Sequence, residues 1–236
     1  MVEQKKQKEY FGLIKFYNNE NYLNDFINGV LYCNTPEYYR LSKREGVSDF
    51  NESCLLSFRE GRSDEKVTVT FGGKEINGIK TLTMHPVNSH DMWLHCWTTL
   101  AVTEDRDELS KLVQDINRLR KEFGTNYIFM SMKQLNLFVE HLKILIKDKL
   151  YFGEIQYSDD TNLWSAFCKS NKYSYQREYR FAYGDCSSSP LDPSIICDKN
   201  GFIKFVTKNY CINIDGNTQD TIFYLDKDKC YSKVCL

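Results

Sequence analysis

The sequence predicts an α+β fold: a single domain with a twisted or split, mainly antiparallel sheet and a few flanking helices. Stretches typical of strands outnumber stretches typical of helices. The two kinds also do not alternate one for one, as they do in a doubly wound parallel fold. A length of 236 residues is short for two full-size domains. We therefore assign residues 1–10 to a flexible N-terminal segment and residues 11–236 to one α+β domain.

The chain is expected to open with a strand, a helix and a second strand. Residues 11–17 form a short apolar and aromatic run that is typical of a buried strand. Asn18 or Asn19 can cap the helix that follows, and Gly29 is placed to end it. Residues 30–33 then return to strand. The apolar positions of this helix fall at helical spacing: Tyr22, Leu23, Phe26, Ile27 and Val30.

The middle of the chain reads as a β-meander followed by an aromatic strand. Residues 54–58, 66–71 and 76–84 are predicted strands, because glycines separate them and the second of them alternates apolar and polar residues. Residues 91–99, with the sequence DMWLHCWTT, form the next predicted strand.

Two longer helices are predicted in the second half. One opens at Asp105 and runs to Gly124, and the other covers residues 133–146. Residues 162–169 are expected to form a short helix. The remaining strands are predicted at residues 127–130, 150–157, 178–183, 202–206, 212–214 and 221–225.

Composition excludes several classes of function. The chain has 31 Lys and Arg against 32 Asp and Glu, and this balance gives no general attraction to nucleic acid or to anionic lipid. No apolar run approaches the roughly 18 residues of a membrane span, and the first ten residues lack the apolar stretch of a secretory signal. We expect a cytoplasmic chain with no membrane partner. The nine cysteines include no C-x-x-C pair, so we expect reduced thiols and no metal site.

The densest polar and aromatic cluster covers residues 163–183. In an extended strand, Gln176, Glu178 and Arg180 would share one face. One interpretation is an exposed face with a surface ion pair between Glu178 and Arg180. The other is a site in which Glu178 bonds a sugar hydroxyl or stabilises a developing cation, while Gln176 orients the substrate. Both remain open at this point.

Two acidic residues in a predicted loop form a second cluster. Asp49 and Glu52 could bind a cation, or one of them could neutralise Arg177 or Arg180. We predict the ion pair, because a buried arginine generally needs a carboxylate partner.

The strand ending at Thr98 and Thr99 gives the third cluster. Trp97 could stack on a nucleobase or on nicotinamide, or it could be a core tryptophan beside strand-forming threonines. His95 and Cys96 are neighbours in a strand and point to opposite faces, so they do not form a catalytic pair.

The residues 175–178, YQRE, resemble the Gln/Glu-x-Glu signature of ADP-ribosyltransferases. The second acid of that signature grips the nicotinamide ribose and supports an oxocarbenium-like transition state. The resemblance implies an ADP-ribosyltransferase-like fold, NAD as cofactor, and Glu178 and Gln176 as catalytic residues. It also implies cofactor contacts by five further residues, with Lys15 standing where one branch of the family has an arginine: Lys15, Trp97, Thr98, Thr99 and Arg180.

The chain is also similar to a large family of uncharacterised bacterial and phage proteins. The similarity lies in the acidic turn at residues 48–52 and in a late strand resembling K…Y-x-x-E-x-E-Y-R at residues 169–180. Two functions follow as alternatives. The first is a transferase-like, nucleotide-processing enzyme. The second is a non-catalytic phage or mobile-element protein that binds a nucleotide or a host protein in defence or anti-defence. A protein that sequesters a small nucleotide lies between them.

Overall fold

The computed structural model describes residues 8–186, 191–216 and 221–233. Its α-helices are α1 (Glu20–Ile27), α2 (Pro36–Leu41), α3 (Arg106–Phe123) and α4 (Met132–Leu145), and its 3₁₀ helices are η1 (Thr161–Leu163), η2 (Asn171–Gln176) and η3 (Ile203–Phe205). The first strands are β1 (Glu9–Tyr17), β2 (Val30–Cys33), β3 (Leu56–Arg59), β4 (Val69–Phe71), β5 (Lys74–Ile76), β6 (Thr81–Met84) and β7 (Trp93–Val102). The later strands are β8 (Asn126–Ser131), β9 (Leu150–Glu154), β10 (Gln156–Tyr157), β11 (Cys168–Lys169), β12 (Glu178–Tyr183), β13 (Ser194–Cys197), β14 (Thr207–Lys208), β15 (Ile212–Asp215), β16 (Thr221–Leu225) and β17 (Cys230–Tyr231).

The main sheet is antiparallel and is split along β7. Within the described residues it has six strands in the order β14-β8-β1-β7-β12-β9. The first half of β7 pairs with β12, from Trp93 to Thr98, and its second half pairs with β1, from Thr98 to Val102. Thr98 is therefore opposite both Ile14 and Glu178. This arrangement confirms the predicted α+β class with a mainly antiparallel sheet.

The two faces of the sheet carry separate parts of the core. On one face, α1 and α4 pack against odd-numbered positions of β1, β7 and β12, such as Leu13, Trp97 and Phe181. On the other face, α3 and the small β15-β16-β17 sheet cover Ile14 and Leu100. Beyond α3, this second face is covered by Tyr39 of α2 and by Ala166 and its neighbours.

Asn19, Asp105 and Gly124 mark helix ends as predicted, and the start of α4 has a capping box that was not predicted. Asn19 caps α1 by accepting from the backbone N–H of Asn21 at 2.9 Å, and Asp105 caps α3. Ser131 and Gln134 form a capping box at the start of α4. Gly124 ends α3 at φ 103°, where a side chain would also meet the Tyr17 carbonyl oxygen at 2.4 Å. Only glycine fits there.

Several predicted elements are wrong. The middle region is a pair of nested hairpins, not a meander, because β3 pairs with β6 and β4 pairs with β5. Residues 202–206 contain η3 and not a strand. Phe202 and Phe205 both reach the core, and a spacing of three suits a 3₁₀ turn. The helix expected at residues 162–169 is reduced to η1, followed by β11.

The first strand also begins two residues earlier than predicted. Glu9 and Tyr10 already belong to β1, where they face Val102 and Ala101 of β7. Residues 1–7 of the predicted flexible segment lie outside the described residues. No helix among the described residues is long and apolar enough to cross a membrane.

Candidate functional site

A cavity of about 230 Å³ opens where β1 and β7 part. Its floor contains Ile14 to Phe16 of β1 and Cys96 to Thr98 of β7. One side is formed by α2 and the loop that follows it, and the other by the C-terminal end of α3. The charged residues that line the cavity, together with Gln176, come from four separate parts of the chain: Lys15, Arg44, Glu52, Lys169, Gln176 and Glu178.

Four buried charges form what we call the ion tetrad: Glu52, Lys169, Glu178 and Arg180. The Lys169 ammonium lies 3.0 Å from one carboxylate oxygen of Glu52 and 3.0 Å from one of Glu178. Arg180 donates from Nε to the other Glu178 oxygen at 2.8 Å and from Nη1 to the other Glu52 oxygen at 2.9 Å. Each cation therefore joins both carboxylates, and the tetrad has no net charge.

The tetrad keeps both glutamates ionised. Burial alone would raise the pKa of Glu52, but the charges of Arg180 and Lys169 outweigh it and bring that pKa to about 2. The same balance lowers the pKa of Glu178. Asp49 lies 4.0 Å from Lys169, and its pKa is raised by burial and by the negative charge of Glu52. The pKa of Asp49 is therefore raised while that of Glu52 is lowered, although both acids belong to the same loop.

Arg40 of α2 holds the loop that carries Glu52. Its guanidinium is 1% exposed, donates to both oxygens of Asp91 at 2.7 Å, and donates to the Glu52 carbonyl oxygen at 3.0 and 2.7 Å. A bidentate arginine–carboxylate pair fixes orientation as well as distance. The position of the Glu52 carboxylate thus rests on an anchor outside the cavity.

Two other cations that line the cavity have no carboxylate partner among the described residues. Lys15 Nζ donates to the Cys96 carbonyl oxygen at 2.6 Å, and Arg44 Nη2 donates to the Glu122 carbonyl oxygen at 2.9 Å. Lys15 is partly buried, and Arg44 is exposed at the rim. Because the tetrad is neutral, these two side chains make the cavity wall positive.

Two aromatic residues of α2 also line the cavity. Tyr38 is 42% exposed, and its ring meets that of Tyr39 edge-on at a centroid distance of 5.4 Å. Tyr39 is more deeply placed, and its hydroxyl bonds the side chain of Asn34. An exposed aromatic ring beside charged groups offers a flat apolar surface to a ligand.

The structure brings Gln176 and Glu178 to the same cavity, although not by the predicted strand parity. Gln176 ends η2, and Arg177 adopts the left-handed conformation at φ 46° before β12 begins at Glu178. The Gln176 amide donates to the Gly46 carbonyl oxygen at 2.7 Å, so it also holds the loop beyond α2. Thr98, opposite Glu178 in the sheet, lines the same cavity.

Trp97 departs from its predicted role. It borders the cavity, but the register pairs it with Tyr179, so its ring lies on the sheet face opposite to Glu178. The indole is 2% exposed and packs edge-on against Phe26 at a centroid distance of 5.6 Å. It therefore has no free face on which a nicotinamide or a base could stack.

Neither Arg180 nor Thr99 lines the cavity between β1 and β7. Arg180 is 0% exposed, and its donors are directed to Glu52, Glu178 and the Ala166 carbonyl oxygen. It fixes the carboxylates and does not reach the cavity. Thr99 lines a second cavity, of about 270 Å³, which Arg177 and Glu178 also border.

The predicted ion pair between the acidic loop and a late arginine is confirmed for Glu52 and Arg180. Arg177 has a different partner, Asp115 of α3, at 2.9 Å. Sequence reasoning missed Lys169 as the second cation of the tetrad. It also missed Arg44 at the rim.

No group of three His, Cys, Asp or Glu side chains in the described ranges is arranged to hold a metal ion. Near the tetrad, the Lys169 ammonium occupies the place between the carboxylates. Searches of protein-family models, of curated proteins and of solved structures found no match to this chain.

Proposed function

We propose that this chain binds a nucleotide in the cavity between β1 and β7, and that NAD is the nucleotide it processes. One observation carries the proposal: Lys15 and Arg44 leave positive charge without a carboxylate partner beside two ionised, buried carboxylates. A nucleotide carries groups that suit both features, because its phosphate is anionic and its ribose hydroxyls can donate hydrogen bonds to the carboxylates.

Each part of the nucleotide has a corresponding group in the wall. Arg44 at the rim and Lys15 on the floor would neutralise phosphate oxygens. A carboxylate has about four acceptor sites, so Glu178 and Glu52 keep acceptor capacity for a ribose hydroxyl beyond their contacts in the tetrad. Tyr38 would cover an aromatic ring of the ligand. A cavity of about 230 Å³ is smaller than the roughly 300 to 1,000 Å³ of usual ligand pockets, so it would take one half of a dinucleotide and leave the other half over the rim.

Transfer of ADP-ribose is the reaction that Glu178 would support. Nicotinamide leaves with the electron pair of the glycosidic bond, positive charge develops on the ribose carbon and ring oxygen, and a nucleophile attacks that carbon. An ionised carboxylate near the ribose stabilises this charge. The lowered pKa of Glu178 keeps it ionised at neutral pH.

Binding without turnover is the second candidate, and the tetrad itself favours it. Both oxygens of Glu178 already contact cations, so the field that it projects toward a ligand is largely cancelled. In that case the protein holds a nucleotide without cleaving it. This candidate corresponds to a cytoplasmic phage or mobile-element protein that acts in defence or anti-defence.

Nicotinamide release and NAD binding, measured side by side on wild type and Glu178→Gln, test the proposal. Glutamine keeps the shape of the side chain and removes its charge, so the transferase predicts a loss of turnover of about 10²- to 10³-fold with a smaller change in NAD affinity. Glu140→Gln is the matched control, because Glu140 is an exposed residue of α4. Thermal unfolding of each variant shows whether the fold is retained.

The outcomes separate the candidates. NAD that binds but is not cleaved, with cell extract supplied as a source of acceptors, supports the second candidate. NAD that neither binds nor reacts with folded wild-type protein overturns the nucleotide proposal altogether.

A further inference from the structure

The cavity contains two lysines in opposite surroundings. Lys169 lies 3.0 Å from each of two carboxylates, which raise its pKa well above the ordinary value despite burial. Among the described residues, Lys15 Nζ bonds one backbone carbonyl at 2.6 Å and lies 6.0 Å from the centre of the Tyr17 ring, and no carboxylate is within ion-pair distance of it. The two amines thus differ in how readily they lose a proton.

The neighbours of Lys15 add to this difference. Burial lowers its pKa, and the groups that oppose the shift are Cys96, Cys33 and Glu178. A neutral amine can still donate to the Cys96 carbonyl oxygen, so loss of the proton does not cost Lys15 its hydrogen bond. Its lone pair is then available to a ligand in the cavity. A desolvated lysine of this kind is the nucleophile of imine-forming sites.

We propose that Lys15 is a carbonyl-reactive amine that captures a small phosphorylated aldehyde as an imine. The neutral Nζ attacks the carbonyl carbon and a proton moves from nitrogen to oxygen, which gives a carbinolamine. The hydroxyl takes up a proton and leaves as water as the C–O bond breaks, and the nitrogen gives up its remaining proton as the C=N bond forms. Arg44 at the rim supplies the charge that holds the phosphate, which is why the ligand class is an anionic aldehyde and not a neutral one.

This inference does not rest on nucleotide binding. A chain that binds no NAD can still form the imine, and a chain that binds NAD can fail to form it. The two proposals share the cavity but use different protonation states of Lys15: the ammonium binds a nucleotide phosphate, and the neutral amine, whose share the lowered pKa increases, attacks an aldehyde. Each proposal is tested by its own measurement.

Reductive trapping of the wild-type protein tests the inference. Glyceraldehyde 3-phosphate and cyanoborohydride are added, the imine is reduced to a stable secondary amine, and peptide mass spectrometry locates the added mass. We expect modification of Lys15 at lower aldehyde concentration than exposed Lys143, and no modification of Lys169. Inorganic phosphate and Arg44→Gln should each reduce labelling of Lys15. Unphosphorylated glyceraldehyde should label Lys15 no more readily than Lys143.

Labelling that follows exposure alone, with Lys143 modified before Lys15, would overturn the proposal. Equal labelling of Lys15 and Lys169 would overturn it too, because it would mean that the surrounding carboxylates do not control reactivity. Arg44 is exposed, so its substitution leaves the core intact, and thermal unfolding checks that the variant remains folded.

Discussion

Arg180 Nη1 donates to the carboxylate of Glu52 at 2.9 Å, although the two residues stand 128 positions apart in the chain. Glu52 belongs to the loop before β3, and Arg180 belongs to β12 of the main sheet. Both side chains are almost completely buried. Their contact holds the loop of the cavity wall against β12 of the main sheet, and it places Glu52 near Glu178.

The first prediction concerns the stability of this contact. Glu52→Gln leaves Arg180 and Lys169 with one carboxylate fewer, and breaking a buried ion pair costs about 3–5 kcal/mol in the free energy of unfolding. Asp49→Asn is the matched control in the same loop. Asp49 is buried and its pKa is raised, so its charge is unfavourable in the folded state and its removal should leave stability unchanged or higher. Denaturant unfolding of both variants at pH 7 measures the difference. Equal stability of the two variants would show that Glu52 is not essential to the tetrad.

The second prediction concerns acid unfolding. The pKa of Glu52 is lower in the folded chain, at about 2, than in the unfolded chain, where it is about 4.3. The stabilisation that it provides is therefore fully present above about pH 5 and is lost as the pH falls toward 2. We expect the free energy of unfolding of wild type to decrease across this window, and that of Glu52→Gln to decrease less. Parallel curves for the two proteins would contradict the ion tetrad as described.

Local signals in the sequence predicted much of the fold. Asn19, Asp105 and the residues around Gly124 mark helix ends because a cap depends on a few neighbouring residues. The alternation within β12 correctly placed Glu178 and Arg180 on one face. The need of a buried arginine for a carboxylate predicted the pair of Glu52 and Arg180.

The site itself depended on contacts between distant parts of the chain. β7 changes partner at Thr98, and no pattern within β7 signals that change. The parity argument across residues 176–180 also assumed a continuous strand, whereas Arg177 in the left-handed conformation breaks it. Lys169 joins the tetrad only because β11 pairs with β10, and the residue just before β10, Ile155, bonds the Glu178 carbonyl oxygen at the start of β12. These relationships are set by tertiary packing and cannot be derived from local periodicity.

The central claim is that an anionic nucleotide occupies the cavity between β1 and β7, and calorimetric titration of NAD into wild type, Lys15→Met and Arg44→Gln tests it most directly. Loss of a hydrogen bond to a charged group costs about 1.5–3 kcal/mol, so we predict that each substitution weakens binding by about tenfold or more. Lys143→Met, at an exposed position of α4, is the control and should bind as wild type does. Absence of binding to wild type, or equal affinity in all four proteins, would contradict the claim.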